Sequence, residues 1–130
     1  MKCLDTDLLV SILRGKEEAK KNVNELDEEA KGATTSVNAF ELFFGAYKSE
    51  RKQENLKEAS KLLERLTVFP LNLASSKKAA EISAKLMTKG ETIDFRDAMI
   101  AAIALEYGLT LVTRNQVHFK RIKGLQVEYW

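Results

Sequence analysis

Cysteine, histidine and proline each occur once in these 130 residues. A lone Cys3 excludes an internal disulfide and a thiolate metal cluster; its apolar surroundings suit a buried strand. A lone His118 excludes the usual zinc sites, which need several nitrogen or sulfur ligands. Any metal here is therefore expected to be a hard cation held by oxygen. No apolar run is long enough to cross a bilayer, and the first residues lack a signal-peptide pattern. The expectation is a cytoplasmic protein with no membrane partner. Charge of one sign is also lacking, since the net value is only +2. Repeats, low-complexity tracts and linkers are absent from the sequence.

What is present suits one domain over residues 1–130. Apolar residues make up 45% and charged residues 31%, an ordinary balance for a globular chain with a buried core. Lys2-Cys-Leu4 reads as a buried strand, ending at Asp5-Thr-Asp7. A helix is expected from about Leu8 to Leu13, stopped by Gly15. Glu17 to Ala30 is charged, with Val23 and Leu26 as apolar marks, and reads as a surface helix broken by Gly32. Ala33-Thr-Thr-Ser36 suits a second strand, with Ser36 placed to cap the helix from Val37 to Tyr47. That helix is strongly apolar, yet Glu41 stands in its middle. A carboxylate among phenylalanines is costly to bury unless something pairs with it.

Leu56, Ala59, Leu62, Leu63 and Leu66 repeat at helical spacing between Ser49 and Leu66. Val68-Phe-Pro-Leu71 reads as a short strand, and Pro70 assigns it to a sheet edge. A helix capped by Ser75 or Ser76 should run through Met87, with Ala79, Ile82, Leu86 and Met87 inward. After Gly90 comes Thr92-Ile-Asp-Phe-Arg-Asp97, leading into an alanine-rich helix that Gly108 ends. Leu109 to Thr113 is a strand, followed by a polar loop through His118. Gly124 turns the chain into an alternating last strand, Leu125 to Tyr129. Strands separated by helical patterns imply an α/β fold: a three-layer α/β/α sandwich with a central parallel sheet.

Ligands in such sheets collect beyond the carboxyl ends of the strands. Asp5 follows the first strand, Glu41 lies early in the helix after the second, and Asp94 and Asp97 share one face of a helix start. Asp5, Glu41, Asp94 and Asp97 are thus the candidate catalytic and metal-binding set. Crowded carboxylates repel one another unless a divalent cation sits among them. Bland roles compete. Asp7 suits the cap of the first helix better than Asp5 does. Glu41 can turn outward or pair with a lysine. Asp94 suits an N-cap as well as it suits a ligand. Thr113 and Asn115, at a strand end, are supporting candidates, although Asn115 is also an ordinary turn residue. Thr6 and Ser36 can orient Asp5 and Glu41 through their hydroxyls, or serve as caps. His118 reads as a surface histidine. Arg96, Arg114, Lys120 and Arg121 supply positive charge near the acids, suited to attracting phosphate.

Four pieces in this order resemble the PIN-domain family, and within it the VapC-type toxins of toxin–antitoxin pairs. They are Leu4-Asp-Thr-Asp7, Thr35-Ser-Val-Asn-Ala-Phe-Glu41, Ile93-Asp-Phe-Arg-Asp97 leading into Ile100-Ala-Ala102, and Leu111-Val-Thr-Arg-Asn115 with His118-Phe119 and Arg121-Ile122. The resemblance spans nearly the whole chain. It implies a metal-dependent endoribonuclease using Mg²⁺ or Mn²⁺, with Asp5, Glu41 and Asp97 as its acids and Asp94 as a frequent extra. It also implies an RNA substrate, a homodimer, and a small VapB-like antitoxin whose C-terminal segment reaches the active-site groove. The family often has a fourth acid near Asn115; an amide here puts a second metal site in doubt. Two other readings stay open: a catalytically silent PIN-fold module that binds RNA or protein, and a phosphoryl-accepting receiver domain. The receiver needs a lysine after a late strand, where this chain has Thr-Arg-Asn.

Overall fold

The computed structural model describes residues 1–29 and 32–130. Its strands are β1 (Lys2–Leu4), β2 (Gly32–Thr35), β3 (Thr67–Phe69), β4 (Thr110–Val112) and β5 (Gln126–Glu128). They form one sheet in the order β3-β2-β1-β4-β5, with every neighbouring pair parallel. The helices are α1 (Thr6–Leu13), α2 (Lys20–Glu29), α3 (Ser36–Tyr47), α4 (Lys52–Glu64), α5 (Leu73–Thr88), α6 (Phe95–Glu106) and the single turn α7 (Gln116–Phe119). β3 is an edge strand, as Pro70 requires.

Both faces of the sheet are covered at its centre, which is why β1 and β4 bury side chains on both sides, while the edge strand β5 still alternates polar and apolar residues. Cys3 and Leu111 point to one face and pack with α5, α6 and α7. Leu4 and Val112 point to the other and pack with α1, α3 and α4. The result is the expected three-layer sandwich. Helix α6 is the most deeply set element: Ala98 and residues Ile100 to Ala104 are almost wholly buried. Its small alanines let it lie close to the sheet and to α5.

The chain winds from β1 to β2 to β3, then crosses back past β1 to form β4 and β5. That reversal places a crevice beyond the carboxyl ends of β1 and β4. Backbone bonds from Asp5 N to Val112 O at 3.0 Å and from Thr113 N to Glu128 O at 3.0 Å extend the ladder to its rim.

Several local expectations give way. Asp5, not Asp7, is the N-cap of α1, accepting from Thr6 N, because Asp7 is drawn to donors from the far end of the chain. Thr35 caps α3 in place of Ser36, whose hydroxyl instead accepts from Leu71 N at 3.1 Å. Asn72 caps α5; Ser75 closes a reciprocal pair with it, and Ser76 donates to the Asn72 carbonyl. Met87 is 71% exposed rather than inward, because it falls one position past the Ala79-Ile82-Leu86 stripe. The loop through His118 contains α7, and its Phe119 is fully buried. Phe40 and Phe44 are more than half exposed and stack on each other at 6.0 Å. The side chain of Leu26 and all of Ala30 lie outside the described residues.

Candidate active site

Asp5 stands on the rim of the crevice, only 7% exposed. One carboxylate oxygen accepts from Thr6 N at 2.9 Å and from Asn38 Nδ2 at 3.0 Å. The other accepts from the Thr113 hydroxyl at 2.7 Å. Burial pushes this carboxyl up to about 6; the Thr113 and Thr6 bonds oppose that rise, while the charges of Asp7 and Asp97 add to it.

Asn38 organises the next layer. It is fully buried on the first turn of α3, and its amide donates to both Asp5 and the Thr6 hydroxyl. Its own oxygen accepts from the Thr35 hydroxyl at 2.7 Å. Thr6 passes the arrangement on, donating to Glu41 Oε1 at 2.9 Å. Thr6 therefore orients Glu41 through its hydroxyl and holds Asp5 through its backbone N–H. Ser36 reaches neither acid, being bonded to Leu71 N.

Glu41 is not left unpaired. Its second oxygen lies 3.7 Å from Arg96 Nη1. Arg96 in turn forks onto Asp94, with Nε at 3.1 Å and Nη2 at 3.2 Å. Asp94 is also the N-cap of α6, accepting from Arg96 N at 2.9 Å. The Arg96 side chain holds its carboxyl below the usual range. Asp97, half-buried one turn on, behaves oppositely. Burial raises its carboxyl, and the charges of Asp94 and Glu41 raise it further. His118, on α7, is near enough to oppose that rise.

Asp5, Glu41, Asp94 and Asp97 thus sit in one electrostatic neighbourhood at the crevice, contributed by β1, α3 and α6. Their donors are all oxygen, which suits a hard divalent cation. Among the described residues, no three side chains of the Asp, Glu, His and Cys types close on a single point. Glu41 is turned toward Thr6 and Arg96, which compete for it.

The basic candidates are placed unevenly. Arg114 stacks on the Trp130 ring, 3.8 Å from its centroid. Lys120 is exposed at the end of α7. Arg121 ties α7 to the segment before α6, donating to the His118 and Thr92 carbonyls at 3.0 Å each. Thr113 meets Asp5, whereas the Asn115 side chain does not cap α7.

A model of the family described as "PIN domain" matches residues 2–125. The chain belongs to the PIN domain family. Among curated relatives, it is 31% identical to the tRNA(fMet)-specific endonuclease VapC of Shigella flexneri, covering 98% of this chain and 96% of that protein. It is 30% identical to Ribonuclease VapC2 of Haemophilus influenzae over the same shares. Among solved structures, VapBC2 from Rickettsia felis bound to a promoter DNA fragment superposes with a TM-score of 0.90 at 29% identity, covering 99% of this chain and 98% of that one. DNA-bound VapBC from Salmonella typhimurium superposes with a TM-score of 0.88 at 30% identity, covering 100% and 99%.

Within this PIN domain, four residues were not picked out as part of the site by sequence reasoning. Asn38 reads as one more polar residue in an apolar helix; its place three residues after the capping Thr35, which bonds it, was the available signal. Asp7 looks locally like a cap, and His118 like a surface histidine. Trp130 gave no local signal at all, because its partners are Asp7 and Arg114.

Proposed function

We propose that this chain is a metal-dependent endoribonuclease and the toxin of a type II toxin–antitoxin pair. The observation that carries the reading is that Asp5, Glu41 and Asp97 come from three elements to one electrostatic neighbourhood at the β1/β4 crevice of a PIN fold, where the charge of Asp97 raises the Asp5 carboxyl and that of Glu41 raises the Asp97 carboxyl. Buried carboxylates that oppose one another's ionisation favour a cation between them. Asp5, Glu41 and Asp97 would hold Mg²⁺ or Mn²⁺, with Asp94 available at the margin. When bound, the ion supplies charge to polarise a phosphodiester and to acidify a water for in-line attack.

The chain's own residues do the positioning. Thr6, Asn38 and Thr113 fix the oxygens of Asp5 and Glu41 before substrate arrives. Arg96 balances Glu41 and Asp94. Lys120 and Arg114 bring positive charge to the rim, where an RNA backbone must pass an otherwise acidic centre. Preference for RNA would come from shape and unpaired bases.

The relatives named VapC and the superposed VapBC complexes support a small VapB-like antitoxin as partner. A homodimer, a cytoplasmic setting and a single working domain over residues 1–130 complete the reading. No helix among the described residues is long and apolar enough to cross a membrane. The test is cleavage of total RNA by purified protein with Mg²⁺ or with EDTA. Cleavage should require the ion, and Asp5→Asn and Asp97→Asn should abolish it while the protein stays folded. Cleavage retained in both variants would end the assignment.

A further inference from the structure

Three neighbouring strand ends are cross-linked by side chains beside the acids. Asp7 lies two residues after Asp5 in the chain. Its Oδ1 accepts from Trp130 Nε1 at 3.1 Å, and its Oδ2 accepts from Arg114 N at 3.0 Å. The Thr113 hydroxyl has one proton. Its oxygen is 2.7 Å from Asp5 and 3.3 Å from Asp7, so the proton goes chiefly to Asp5. Arg114 closes the ring: its guanidinium lies over the Trp130 indole and its Nε donates to Trp130 O at 3.3 Å. The segment that carries Thr113 is therefore held from both sides, by Asp7 below and Trp130 beyond. Both carboxylate oxygens of Asp7 are engaged by donors from the loop after β4 and from Trp130, so it is placed to hold the loop.

The geometry points to Asp7 and Trp130 as a positioning pair for the reaction, fixing the loop after β4 so that Thr113 can hold Asp5 in its working orientation. This rests on the nuclease reading above. Neither residue touches substrate; both act through Thr113. Partners that orient a ligating carboxylate typically account for about 10- to 100-fold in metal affinity or activity.

Trp130→Phe removes the indole N–H and keeps a ring for Arg114 to stack on. Asp7→Asn leaves one oxygen acceptor for two N–H donors. Each is expected to lower kcat and Mn²⁺ affinity about tenfold, with KM for RNA and the melting temperature nearly unchanged. The double variant should be no worse than either single one, since both cut the same link. Wild-type kcat and Mn²⁺ affinity in Trp130→Phe would overturn the pairing while leaving the nuclease reading intact. So would a double variant whose losses multiply. A wild-type protein that neither binds Mn²⁺ nor cleaves RNA would overturn both.

Discussion

The Thr6 hydroxyl donates to Glu41 Oε1 at 2.9 Å, joining the first residue of α1 to the middle of α3. This bond decides how an acid within an apolar run is tolerated. Glu41 is neither fully exposed nor left bare; it has Thr6 on one oxygen and Arg96 near the other. Thr6→Val keeps the shape and deletes the donor. RNA cleavage is expected to fall about 10- to 100-fold. Global stability should drop by only ~1 kcal/mol. Paired kinetics and urea unfolding check both numbers.

Asn38 should behave in the reverse way, with stability suffering along with activity. It is fully buried and bonded to Thr35, Asp5 and Thr6. Asn38→Leu strands those partners in a dry site, at a cost of about 2–4 kcal/mol. Urea denaturation should show the midpoint moving with an unchanged slope.

These two residues show where sequence reading reaches and where it stops. The layer order, the parallel sheet and the buried α6 were legible because apolar periodicity is a local signal: Ala98 and residues Ile100 to Ala104 announce a core helix by themselves. Asp94 as a cap was legible for the same reason. The role of Asp7 was not. Locally it looks like a cap, but its donors come from Arg114 and Trp130, 107 and 123 positions away. The exposure of Phe40 and Phe44 was not legible, because an all-apolar helix does not disclose which stripe faces out. Ser75 looks like the cap of α5 because it bonds Asn72, the true cap, reciprocally, so each carries the signature of the other's role.

Divalent metal should stabilise the fold by mass action. Mn²⁺ at about 100 times its dissociation constant is expected to add ~2.7 kcal/mol, read as a rise in melting temperature reversed by EDTA. Asp97→Asn should abolish that rise. Its metal-free melting temperature should match or exceed that of the wild type, because burial and the charges of Asp94 and Glu41 already disfavour its ionised form.

Lys120 is exposed at the end of α7 and tests the proposed RNA path. Lys120→Glu should weaken RNA binding and make it less sensitive to salt. The slope of log affinity against log salt should shrink by about 0.7 for the lost phosphate contact. The cleavage rate at saturating RNA should hold. An unchanged salt slope would remove Lys120 from the path.

The central claim is that Asp5, Glu41 and Asp97 act as one cation site although they come from three separate elements. Calorimetric titration of Mn²⁺ into wild type and into Asp5→Asn, Glu41→Gln and Asp97→Asn measures this most directly. The account predicts binding to the wild type and at least about a tenfold loss of affinity in each variant. Equal affinity across all four proteins would contradict it.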